Sequence, residues 1–108
     1  MSNTGWKEDL ARDLESYGLG ETPSRFEMAR APVIENWTTQ VRRVGKEFKL
    51  VVMGQARKHP DYVDGEDICT AAIHWFDRKA RFARSAHRLY SLGEQAGDEI
   101  PIDGTITE

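Results

Sequence analysis

The sequence predicts an α+β domain, with two N-terminal helices, a small antiparallel β-sheet of two or three strands, one long C-terminal amphipathic helix and an acidic tail. Three observations lead there. Apolar residues before Tyr17 recur at helical spacing, β-branched residues dominate from Trp37, and the segment after Asp77 separates apolar from basic side chains on a helical wheel.

Trp6, Leu10, Leu14 and Tyr17 are four, four and three residues apart, which lines one helix face. Asn3 or Thr4 can cap the start, and "GLG" at 18–20 can end it. "TPSRFEMARAP" signals a second, shorter helix: Thr22 as cap, Pro23 at the first helical position, Pro32 beyond the end, and Ser24 with Glu27 at capping-box spacing.

From Trp37 the pattern becomes strand. Thr38, Thr39, Val41 and Val44 are β-branched, "GKE" at 45–47 can turn, and "FKLVVMGQARKH" continues the pattern through Val52. Pro60 stops pairing, Asp64-Gly65 is a turn signal, and "EDICTAAIHWF" can return as the next strand. Asp77 then caps a helix from Arg78 to about Leu92, closed by Gly93. Residues 1–93 are read as one domain and 94–108, punctuated by Gly and Pro, as a flexible acidic tail.

A chain of 108 residues supports one modest core. The longest apolar run, "LVVM" at 50–53, cannot cross a bilayer, and the acidic start is unlike a signal peptide. One cysteine, Cys69, cannot staple the domain, and a cytoplasmic location is expected. The net charge of -3 is an average over unlike parts. Residues 1–36 carry four basic side chains against seven acidic, 37–93 eleven against six, and 94–108 none against five.

The basic middle is densest in "DRKARFARSAHRLY". On the predicted helix Phe82, Ala86, Leu89 and Tyr90 form the dry side, and Arg81, Arg84 and Arg88 a stripe on the wet side, with Arg78 and Lys79 before them. These five are the candidate partner-binding residues. The first reading of the stripe is a plain solvated face, although such a face usually mixes charge signs and no acid lies between Asp77 and Glu94. Among binding readings, arginine enrichment at protein interfaces favours a protein partner. Weak nucleic-acid binding comes second, because three arginines on phosphates give only a shallow salt dependence.

Candidates for chemistry are fewer. "HPDYVDGED" gathers His59, Asp61, Asp64, Glu66 and Asp67 but lacks both the EF-hand ligand order and a second His or Cys for zinc, so it reads as an acidic turn. Cys69 reads as an inert core thiol, and His59, His74 and His87 show no nucleophile spacing. No Gly-rich phosphate loop is present. No enzyme is predicted, and no catalytic, cofactor-binding or metal-ligating residue is assigned.

The stretches "APVIENW", "VVMGQARKHPDYVDGEDICTAAIHWFD" and "ARFARSAHRLYSLGE" resemble a family of small uncharacterised proteins of alphaproteobacteria and their mobile elements. The pattern runs through Ala31, Pro32, Ile34 and Trp37, then Gly54, His59-Pro60, Asp64-Gly65, Ile68 and Thr70, and on to Asp77, Ala83-Arg84, Arg88, Tyr90 and Leu92-Gly93. Ala71 stands where the family has Ser, and His87 lies near another usual Ser. The resemblance supports one fold over 31–93 and implies no known activity.

The functional expectation is therefore a non-enzymatic protein that binds another protein as an accessory or inhibitor, with a phage or mobile-element anti-defence role such as anti-CRISPR as its most concrete form. The alternative is weak nucleic-acid binding or transcriptional regulation through the basic middle. Membrane association is not expected, and self-association is left open.

Overall fold

The computed structural model describes residues 5–96. Two helices, α1 (Gly5–Gly18) and α2 (Arg25–Arg30), precede six strands: β1 (Val33–Val44), β2 (Glu47–Arg57), β3 (Asp67–Cys69), β4 (Ile73–Asp77), β5 (Phe82–Ser85) and β6 (Leu89–Leu92). The strands form one sheet in the order β3-β2-β1-β6-β5-β4. Neighbours are antiparallel except β1 and β6, which run parallel. The chain thus lays down two three-stranded meanders and joins them through β1, the first strand of one, and β6, the last strand of the other.

The sheet curls until β2 and β4 approach each other. Ile34, Trp37, Val52, Ala56, Ile68, Ala83, Tyr90 and Leu92 form the buried cluster, with Ile73 and Phe76 packed against it. Helix α1 covers the other face of β4 and β5, where Tyr17 meets Phe82 and Trp75 at ring-centroid distances of 4.9 and 5.7 Å. Phe82 is therefore fully buried, and burial raises the Tyr17 hydroxyl pKa above its ordinary range. At α2 the cap is Ser24, one step past the predicted Pro23 start. Its hydroxyl accepts from the Glu27 amide, and the Glu27 carboxylate accepts from the Ser24 amide.

A bulge in β1 fixes the register at the centre. Between the pairs Glu35↔Gln55 and Thr38↔Met53, two residues of β1 oppose Gly54 alone. Asn36 takes a left-handed φ of 49°, and Trp37 turns into the core, where its indole N–H donates to the Gly93 carbonyl at 3.0 Å. A Cβ on Gly54 would lie 2.6 Å from Ile34 Cγ2 and 2.7 Å from the Glu35 carbonyl oxygen. Only glycine fits that crossing.

The long C-terminal helix is absent, and this overturns the predicted three-helix α+β arrangement: the molecule is mostly a mixed six-stranded sheet with one helix of 14 residues. Residues 78–92 form a turn and two four-residue strands instead. Asp77 does accept a backbone N–H, from Ala80 at 2.8 Å, as a helix cap would. The chain then reverses through Arg81 at φ 64°, closed by the Arg81 amide donating to the Asp77 carbonyl. Gly93 does not end a helix; it leaves room for the Glu35 carboxylate, which accepts from the Glu94 amide. The proposed return strand is likewise two strands, β3 and β4, at opposite ends of the sheet order.

The first residues of the predicted tail lie against β1, where the Glu94 carbonyl accepts from the Trp37 amide at 3.1 Å. Gln95 bridges to Trp37 in parallel fashion, and the Ala96 amide donates to the Trp37 carbonyl at 2.9 Å. The rest of the predicted tail, 97–108, lies outside the described residues. No helix among the described residues is long and apolar enough to cross a membrane.

Candidate functional site

The predicted arginine stripe depended on a helix, and in the sheet its members part company. Arg84 points from β5 toward α1 and is 7% exposed. Its guanidinium lies 3.1 Å from the Asp13 carboxylate and donates to the carbonyls of Ser85 and Ala86 at 2.6 and 3.1 Å. Every one of these partners belongs to the interior or its rim, so Arg84 holds α1 on the sheet and cannot serve an outside partner. Arg88 follows the β5 strand and lies 3.6 Å from Asp61. Arg78, Lys79 and Arg81 sit together in the β4–β5 turn. Arg81 donates to the Gly93 carbonyl at 2.7 Å, the same oxygen that receives the Trp37 indole N–H.

That turn adjoins a second basic group. Strands β4 and β6 run parallel to β1, so the β4–β5 turn and the end of β6 leave the sheet at the end toward which β1 extends. Trp37, Arg78, Lys79, Arg81, Gly93 and Gln95 line a shallow cleft there. Beyond it, Gln40–Val44 pair only with Glu47–Val51 among the described residues. The two segments make a two-stranded ribbon about 16 Å long at roughly 3.3 Å per residue.

Its sequence explains its form. Gly45 at φ 63° followed by Lys46 makes the two-residue turn with glycine first that suits the twist of a hairpin. Cross-strand pairing sets Val41 opposite Leu50 and Arg43 opposite Phe48 on the face that continues the core from Val52. Arg42 with Lys49, and Val44 with Glu47, share the other face. The apolar strip thus runs out of the core and ends uncovered at Phe48, which is 71% exposed, while Val44 on the other face is 58% exposed. Four cations, Arg42, Arg43, Lys46 and Lys49, accompany one acid, Glu47, whose carboxylate pairs with Lys49 at 2.9 Å and is thereby held below its ordinary pKa.

"VRRVGKEFKL" carried this site in the sequence, where it was read only as two strands and a turn. The available signal was its four basic residues and a phenylalanine around a tight turn, on strands too polar at that end to be buried.

The turn after β2 has an internal role. His59 is 9% exposed, accepts at Nδ1 from the Asp61 amide, and packs against Tyr62 and Tyr90. Burial foremost, then the Arg88 guanidinium, lowers its pKa, while Asp61 opposes the shift. Burial raises the Tyr90 hydroxyl. Asp64 accepts from the Lys58 amide and Glu66 from the Val63 amide, so these carboxylates shape the loop. Cys69, expected in the core, is exposed on β3. Among the described residues no group of three or more His, Cys, Asp or Glu side chains converges on a metal position.

The chain matches no protein-family model, and no curated protein or solved structure is detectably similar to it.

Proposed function

We propose that the protein is a non-enzymatic binding protein that holds nucleic acid, weakly and without strong sequence preference, against the basic end of its sheet. The observation that carries this reading is the ribbon: four cations and an exposed phenylalanine project from the body beside the basic β4–β5 turn. The sequence alone put a protein partner first, on the strength of an arginine stripe. All three arginines of that stripe have other engagements, Arg84 with Asp13, Arg88 with Asp61 and Arg81 with the Gly93 carbonyl, whereas Arg42, Arg43, Lys46 and Lys49 share a narrow projection suited to a phosphate-lined groove.

The negative total charge does not oppose this. Four of the 18 acidic residues, Asp98, Glu99, Asp103 and Glu108, lie beyond residue 96, and 15 basic against 14 acidic side chains remain in the described part. Steering depends on the local field, which at the ribbon is positive. The exposed Phe48 and Val44 also suit an acidic protein partner, and that second reading rests on them.

Fluorescence anisotropy with a labelled duplex at low salt tests the proposal. Wild type should bind. The variant carrying Arg42→Gln, Arg43→Gln, Lys46→Gln and Lys49→Gln should lose at least about a hundredfold in affinity, since each phosphate contact contributes to a steep salt-dependent term. Its melting temperature should stay within a few degrees of wild type, because these side chains leave the core untouched. A wild-type protein that binds no oligonucleotide at low salt would overturn the reading in favour of the acidic protein partner.

A further inference from the structure

We propose that the ribbon formed by residues 40–44 and 47–51 enters the minor groove of duplex DNA and sets Phe48 as an apolar wedge against a base step, so that the protein bends the duplex it holds. This deepens the nucleic-acid reading and rests on it.

Charge placement selects a groove over a flat surface. Arg42 and Lys49 stand on one face of the ribbon, Arg43 on the other, and Lys46 at its tip. A flat acidic surface can meet only one of those faces, whereas a ribbon inside a groove has a phosphate backbone on each side. A second copy of the chain fits poorly. Antiparallel pairing of two β1 strands along this free stretch would bring Arg42 and Arg43 close to the same residues of the other copy, and like charges directly opposed in a sheet are destabilising.

The apolar side chains choose between the grooves. Phe48 and Val44 flank the tip, one on each face, and nothing among the described residues covers either. Sequence readers of the major groove use polar side chains that match base edges, while minor-groove binders commonly insert apolar side chains between base steps and kink the duplex. The narrow minor groove must open to admit a ribbon, and the kink supplies that opening. At the foot of the ribbon, Arg78 and Lys79 beside the Trp37 cleft lie where a duplex bent toward the body would bring its flanking phosphates.

The test uses the full chain and a duplex of about 30 base pairs labelled at both ends with a donor and an acceptor dye, a length over which a bend of 40–90° is elastically accessible. Affinity is read by anisotropy and bending by energy transfer, for wild type and Phe48→Ser, with the single strand of the same sequence as a second probe. Wild type should raise the transfer efficiency at saturation and prefer the duplex. Phe48→Ser should keep the same salt dependence, bind about tenfold more weakly and give little or no rise in transfer. Duplex binding without a rise in wild type, equal bending by Phe48→Ser, or tighter binding of the single strand would overturn the groove and wedge while leaving nucleic-acid binding in place. Absence of binding to both probes would remove the underlying reading as well.

Discussion

Arg84 carries its charge into the interior because Asp13 and two carbonyls meet it there. Removing one partner of a buried pair leaves the other unsatisfied, which costs about 3 to 5 kcal/mol. Asp13 keeps some contact with water, so Arg84→Ala should lie near 3 kcal/mol in urea denaturation; a loss under about 1 kcal/mol would mean that α1 is held by its apolar contacts alone. Reversing the charge at Arg84 is a stability experiment and not a test of binding. Phe82→Ala, at the centre of the α1 contact, should cost about 3 to 5 kcal/mol. His59 gives a pH signature. Its pKa is lowered on folding, so the unfolded chain binds the proton more readily and stability is fully present above the unfolded value of about 6.5. It falls as pH drops below that value and levels off below the folded one. Melting curves between pH 7.5 and 5 should show this acid loss in wild type and a smaller loss in His59→Gln; identical slopes would show that another group titrates.

At the scale of elements, legibility followed the number of residues that repeat a pattern. Helix α1 spans several turns, and the spacing from Trp6 to Tyr17 displayed one face. The hairpin at Gly45 announced itself through its turn. Strands β5 and β6 are four residues each, too short for a two-residue period to stand out. Every residue of β5 is buried, since α1 covers one face and the core the other, so the expected alternation of apolar and polar never appears. Phe82, Ala86, Leu89 and Tyr90 fall on a helical face only by coincidence, and Asp77 accepts a backbone N–H at a turn as readily as at a helix start. The bulge opposite Gly54 was invisible because it depends on contacts across the sheet. Gly54→Ala forces a Cβ into the backbone of β1, and should cost about 1 to 3 kcal/mol or shift the bulge. An unchanged melting temperature would contradict the register. The candidate site was legible in composition and misplaced in geometry: basic density was seen between Trp37 and Gly93, but which cations share a surface depends on strand order.

Over the whole molecule, the sheet carries its basic ribbon and basic turn at one end, while Asp61, Asp64 and Glu66 lie in the loop that follows the other end of β2. A field divided in this way lets a protein of net charge -3 present a cationic face. Counterion release then provides the most direct measurement. Six cations, four on the ribbon with Arg78 and Lys79 at its foot, should give a log–log slope of affinity against salt of about -5 on duplex DNA, by the rule of roughly -0.9 per neutralised phosphate. Titration from about 50 to 200 mM salt should therefore weaken wild-type binding about a thousandfold. The four-glutamine ribbon variant should leave a slope of about -2, the share of the turn alone. Equal slopes for the two proteins, or an affinity indifferent to salt, would contradict the assignment of the ribbon as the surface that holds nucleic acid.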